Sequence, residues 1–150
     1  MNIRAVCTRE VVTVDRAATI LEAARRMRDA HVGDLVVVAG GRSGEVPVGI
    51  ITDRDIAVGV VAKDVEHIER LLVEDVVELG ELVTASPDDD PADVIRRMRA
   101  RGVRRLPVVE GGRLIGIVSL DDLFLAMAGE LRELAEVPFA QREREITTRG

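Results

Sequence analysis

Apolar and polar positions along the chain fall into two runs of one pattern. Short stretches rich in Val, Ile and Leu, from Leu35 to Val38, Val48 to Ile51, Leu106 to Val109 and Leu114 to Val118, are bounded by glycine and charged residues, as β-strands are. Ahead of each pair of strands the period changes. Apolar residues at Ile20, Ala23, Ala24 and Met27, and again at Val94, Ile95 and Met98, return at helical spacing, with arginines filling the other face. Thr19 with Glu22, and Asp90-Pro91 with Asp93, mark the two helix starts. A short strand precedes each helix, at Val11 to Val14 and at Leu82 to Ala85. Each half therefore predicts the order β-α-β-β-α.

The two halves also match as sequence. ARRMRDAHVGDLVVV (24–38) lies over IRRMRARGVRRLPVV (95–109) at a constant offset of 71, and Val12-Thr13 lies over Val83-Thr84 at the same offset. GIITDRD (49–55) lies over GIVSLDD (116–122) at an offset of 67. The lost positions fall between the last two strands, AGGRSGEVPVG against EGGRLIG, where a hairpin tolerates a change of length. The duplication predicts an α/β (α+β) fold in which two β-α-β-β-α repeats pack as one pseudo-two-fold module. The expected divisions are 1–62 for the first repeat, 63–76 for a connecting segment, 77–130 for the second repeat, and 131–150 for a helix end and charged tail. Val65, Ile68, Leu71 and Leu72 predict that the connection is helical. Leu120, Leu123, Phe124, Met127, Leu131 and Leu134 form a further stripe, assigned to intrachain core rather than a dimer seam. Pro138 is expected to end that helix and leave FAQREREITTRG frayed.

Composition narrows the function. With 47% hydrophobic and 32% charged residues the chain is globular, and no apolar run is long enough to span a bilayer. MNIRAVCTRE lacks the apolar core of a secretory signal, which points to the cytoplasm. Cys7 is the lone cysteine, and His31 and His67 have no metal-ligand spacing, so no metal is expected. Arg96, Arg97, Arg99 and Arg101 spread over a solvated helix face behind Asp88, Asp89, Asp90 and Asp93. With a net charge of −6 and only Phe124 and Phe139 as aromatics, the composition argues against nucleic acid. The absence of a nucleophile–base pair or a Walker-type loop argues against an enzyme.

The repeated G-x-x-[T/S]-x-x-D motif admits two readings. Thr52 with Asp55, and Ser119 with Asp122, have the spacing of a capping box, in which the hydroxyl accepts from a first-turn amide and the acid reaches back. The same geometry suits a nucleotide. A helix N-terminus offers free amides to a phosphate, and a carboxylate one turn in can accept from both hydroxyls of a ribose.

The tandem order, the strand VRRLPVV (103–109) and the paired GIITDRDI and GIVSLDDL resemble the cystathionine-β-synthase (CBS) domain pair, or Bateman module, over roughly residues 1 to 130. The resemblance implies two repeats joined by their sheets, with clefts that bind AMP, ADP, ATP or S-adenosylmethionine, a homodimer, and an effector protein that reads the state. It implies that Asp55 and Asp122 hold ribose, that Thr52 and Ser119 lie near phosphate, and that Thr13-Val14 and Thr84-Ala85 form the base edges. Arg104 and Arg105 take the positions of basic phosphate contacts. The aligned residues of the first repeat are Gly33 and Asp34, so the two clefts should differ. Without Trp or Tyr, aliphatic residues such as Val14, Ile50, Ile51, Leu106 and Ile117 would clamp the base. The competing expectation is a ligand-free CBS pair that serves dimerisation or docking.

Overall fold

A computed structural model describes residues 1–40 and 45–149. Residues 41–44 of the glycine-rich connection, and Gly150 at the end of the expected tail, lie outside it. The first half contains β1 (Thr13–Asp15), α2 (Ile20–Ala30), β2 (Asp34–Ala39), β3 (Val46–Thr52) and α3 (Asp53–Gly59), behind a short helix α1 (Ile3–Val6). The connection supplies α4 (Val73–Val76). The second half contains α5 (Pro91–Arg101), β4 (Arg105–Glu110), β5 (Arg113–Ser119) and α6 (Leu120–Arg149). β1 runs parallel to β2 and β2 antiparallel to β3, so α2 is a crossover between parallel neighbours. The mixed α+β fold of two repeats is as expected.

The halves are not identical copies, and the reason is covalent. In the first, Val36 donates to Val12 and Arg16 donates to Val38, which bracket β1. The positions 71 residues on are Pro107 and Pro87, which have no N–H. What remains of the expected strand Leu82 to Ala85 is one parallel bridge, in which Ala85 donates to Pro107 and accepts from Val109, both at 2.9 Å.

α1 packs into the core of the second half, and α4 of the connection into the core of the first. Ile3, fully buried, packs with Val94, Met98, Leu106, Val118 and Leu123 of the second half. Val73, equally buried, packs with Val14, Ile20, Met27, Leu35 and Ile51 of the first. The backbone bonds repeat as well: Arg4 donates to Pro87 at 2.8 Å, and Glu74 to Arg16 at 3.0 Å. The connection is not one helix. Asp64 and His67 adopt left-handed backbone, with φ of 50° and 54°, and divide it into two 3₁₀ turns ahead of α4.

Three further expectations are corrected. Of the C-terminal stripe only Leu123 is buried and Leu120 partly so, while Phe124, Leu131 and Leu134 are 61–67% exposed, because α6 runs past the body of the second half. Pro138 does not end α6, which continues to Arg149. Pro138 lies inside the helix, where it forfeits one backbone hydrogen bond, and the residues after it, rich in Ala, Gln, Glu and Arg, are helix formers that continue the helix. Arg97 is not on a solvated face: it donates to the Thr84 carbonyl at 2.7 Å and pairs with Asp89. Arg26, its counterpart, donates to the Thr13 carbonyl at 2.7 Å.

Asp89 anchors the loop on which α1 sits. Burial pushes its carboxyl upward, but the Ser86 N–H and the Arg97 guanidinium outweigh this and hold it below the usual carboxylate range. A carboxyl whose pKa falls on folding stabilises above its unfolded value of about 3.9, and that contribution disappears as pH falls through the lower folded value. Asp89→Asn should therefore cost about 1 kcal/mol at neutral pH. The gap from wild type in urea unfolding should close below about pH 3.9; a gap that persists in acid would assign the loss to something other than the charge.

Candidate functional site

Both motifs sit where a strand of the sheet turns into a helix. The Thr52 hydroxyl accepts from the Asp55 N–H at 3.1 Å, and Asp55 Oδ2 accepts from the Thr52 N–H at 2.9 Å. Ser119 and Asp122 repeat this at 3.1 and 3.0 Å, and the Ser119 hydroxyl also donates to Asp122 Oδ2 at 2.6 Å. Both motifs are thus capping boxes, which satisfy amides that a helix start would leave orphaned. The helix starts are tied back in the same way: Asp53 N–H donates to the Gly33 carbonyl at 2.9 Å, and Leu120 N–H to that of Arg104 at 2.8 Å.

The halves meet along β3 and β5, and Leu114 donates to Glu45 across the seam at 3.0 Å. A cleft opens on either side. The first, of about 670 Å³, is lined by Ile50, Leu79, Glu81, Leu82, Val83 and Val103, with Leu106, Arg101 and Arg105 at one side. The second, of about 250 Å³, is lined by the matching Ile117, Thr8, Glu10, Val11, Val12 and Val32, together with Asp34, Val36, Arg105, Ser119 and Asp122. Between them lies a hollow of about 600 Å³ onto which Thr52, Ser119, Asp34, Arg104 and Arg105 all face.

The expected site residues divide on this frame. Ser119, Asp122 and Arg105 share the second cleft, and Thr52 joins Ser119, Arg104 and Arg105 at the central hollow. Asp55 lines neither cleft, but a separate cavity of about 510 Å³ with Arg54, Lys63 and Asp75. Val14 and Ala85 are buried in the two cores, Val14 fully and Ala85 at 2% exposure, so neither lines a cleft. The Thr13 hydroxyl donates to Glu45, and the Thr84 carbonyl is taken by Arg97. The walls where a base edge was expected come instead from residues 8–12 and 79–83, one short step upstream. The inward pleat of Val14 explains this, since the chain must pass over the cleft before diving into the core. Of the expected aliphatic clamp, Ile50 and Ile117 line clefts, Leu106 is a core residue that also borders the first cleft, and Val14 and Ile51 are core. Glu10 and Glu81 were passed over in the sequence, although their identity at the offset of 71 marks them.

Both arginines at the hollow are engaged. Arg104 Nη2 lies 3.2 Å from Asp121 Oδ1, and Arg105 Nη1 pairs with Asp34 Oδ2. Among the described residues no group of His, Cys, Asp and Glu is arranged to hold a metal ion, and no helix is long and apolar enough to cross a membrane.

Comparison with known proteins agrees with this architecture. The CBS domain family model matches residues 3–61 and again residues 73–129. An uncharacterized protein of Methanopyrus kandleri is 31% identical over 82% of this chain, which spans 61% of that relative's length. The CBS domain-containing protein YhcV of Bacillus subtilis is 36% identical over 81% of this chain and 82% of its own. The CBS domain pair of protein MJ0100, solved with 5′-methylthioadenosine and S-adenosyl-L-methionine, has the same fold at TM-score 0.71, with 24% identity over 87% of this chain and 98% of that one.

The first glycine of each motif leaves room for a neighbouring segment, most tightly at Gly116. Thr8 and Ile117 exchange backbone hydrogen bonds at 2.9 Å, and a Cβ on Gly116 would lie 2.9 Å from the Thr8 carbonyl oxygen and 3.1 Å from Cys7 Sγ. At Gly49 it would meet the Leu79, Val77 and Val37 side chains, at 3.1, 3.4 and 3.8 Å. At Gly116 the close approach is made by the chain's own N-terminal segment. Gly116→Ala should cost about 1–3 kcal/mol and speed amide exchange at Ile117. Gly129→Ala, in open space on α6, should instead stabilise by up to about 1 kcal/mol. Equal behaviour of the two variants in denaturant would refute the packing role of Gly116.

Proposed function

Because the chain belongs to the family of CBS domains and carries two of them in tandem, we propose that it is a non-enzymatic sensor. Its clefts would bind an adenosine-containing ligand, of the AMP, ADP, ATP or S-adenosylmethionine class, and signal to an effector protein. CBS pairs are regulatory modules. The observation that carries the ligand reading is the second cleft, where the apolar walls of Val11, Val12, Val36 and Ile117 adjoin a polar end made by Ser119, Asp122 and Arg105. Apolar walls suit a purine, and the carboxylate of Asp122 suits a ribose diol. The fold has room for such ligands, as the MJ0100 pair with its two adenosine compounds illustrates. Because the walls come from both repeats, a ligand that prefers one arrangement of the halves shifts the population that a partner reads.

A second reading, a ligand-free pair that dimerises or docks, is favoured by the satisfied caps and by the two arginines already held by acids. Absorbance separates the two. The protein has no Trp or Tyr, so a purine-like ultraviolet band that leaves on denaturation would reveal co-purified ligand. A clean protein without thermal shift in AMP, ADP, ATP, NAD or S-adenosylmethionine would exclude the sensor. Asp122→Ala should weaken binding and also lose about 1 kcal/mol of unliganded stability through the cap; unchanged affinity would confine Asp122 to capping.

The reading includes a homodimer. On α6, Leu120, Phe124, Met127, Leu131 and Leu134 follow alternating steps of four and three residues, the spacing of a coiled-coil seam, and most of that seam is exposed. Such a seam is self-complementary, so its fitting partner is a second copy of α6. Sedimentation should give a dimer for the wild type and a monomer for Leu131→Glu with Leu134→Glu; a monomeric wild type would exclude it.

A further inference from the structure

Positions 34 and 105 are equivalent in the two repeats, being separated by the constant offset of 71. Each occupies the first residue of its strand, paired with the hydroxyl residue of the motif: Asp34 with Thr52, and Arg105 with Ser119. The pseudo-two-fold brings the two equivalent positions face to face, and the side chains form an ion pair across the halves. Two identical repeats would set like charges against each other there.

The pair lies at one end of the second cleft. Val36 and Ile117 are two residues along their strands from Asp34 and Ser119, about 7 Å deeper on the same face. A planar apolar base in the deep part would direct its sugar toward Ser119 and Asp122, and its 5′ substituent toward Asp34 and Arg105. The charges at that cleft are Glu10, Asp34 and Asp122 against Arg105 alone. Arg105 is already compensated by Asp34, whose side chain is only 18% exposed. The neighbouring Arg104 is held by Asp121. A polyphosphate would have to take Arg105 from Asp34 and sit beside the stranded carboxylate, which costs both the broken pair and like-charge repulsion. A neutral group leaves the pair intact, and a cation gains from the surplus of carboxylates. The first cleft carries Glu78 and Glu81 against Arg101 and Arg105, without this surplus.

We propose that Asp34 is a specificity-determining residue that makes the second cleft select an adenosine whose 5′ substituent is uncharged or cationic over nucleoside di- and triphosphates. This rests on the reading that the clefts hold adenosine ligands. Calorimetric titration of the full chain with 5′-methylthioadenosine, S-adenosylmethionine, ADP and ATP tests it. The wild type is expected to bind the first two at least about tenfold more tightly than ATP, and Asp34→Asn to shift that ratio toward ATP by about tenfold or more. Asp34→Glu, which keeps the charge, should keep the wild-type ranking and shows that the position tolerates change. A wild type that binds ATP as tightly as 5′-methylthioadenosine overturns the proposal, as does a ratio unmoved in a folded Asp34→Asn. Absence of binding for all four ligands, in wild type and variants alike, would instead remove the underlying ligand reading and the selectivity with it.

Discussion

The backbone pairing of Thr8 with Ile117 sets the frame for the rest of the molecule. The N-terminal segment reaches the second sheet only because Gly116 has no side chain to hold it off. Once there, Ile3 fills the second core, and α4 with Val73 completes the first core in the reciprocal way. Neither repeat has all its core from its own contiguous sequence. A burial exchange of this kind couples the halves through fully buried side chains, whose removal costs several times more than that of a surface contact. It also places residues 8–12 and 79–83 over the seam, so each cleft is walled by segments that also hold the halves together.

Duplication gives the two sides a common plan, and single substitutions then break it. Arg26 and Arg97 make the same bond to the carbonyls of Thr13 and Thr84. Pro87 and Pro107 delete donors that Arg16 and Val36 supply in the first half, and a strand shrinks to a bridge. Asp34 opposite Arg105 turns what would be repulsion between equivalent positions into attraction. The same exchange removes the symmetry of charge between the clefts. A single acidic residue near the axis thereby serves the stability of the seam and the electrostatics of a candidate ligand site, and the two roles share one carboxylate.

The T/S-x-x-D motifs illustrate how one geometry meets two demands. The caps on α3 and α6 are formed without any ligand, and each acid spends one oxygen, Oδ2, on the backbone. The motif therefore caps a helix at both places. Only Asp122 also faces a cleft between the halves, whereas Asp55 is turned to a different cavity. A motif that is equal in sequence is unequal in surroundings, which is why the proposed ligand role is argued for the second cleft.

The sequence by itself determined the elements whose signals are local. The short apolar runs of β2 to β5, the helical stripes of α2 and α5, and the caps at Thr19, Thr52 and Ser119 all follow from neighbours within a few positions, and the duplication is read by laying one half over the other. The offset of 71 even marks Glu10 and Glu81 as equivalent. Only the tertiary structure decided what depends on distant segments: that α1 packs on the second half, that Val14 and Ala85 are core, that α6 outruns its own half, and that Asp34 meets Arg105. Hydrophobic burial is non-directional, so periodicity shows that a face is buried without naming what buries it. An ion pair between residues 71 positions apart exists only once the two halves have docked.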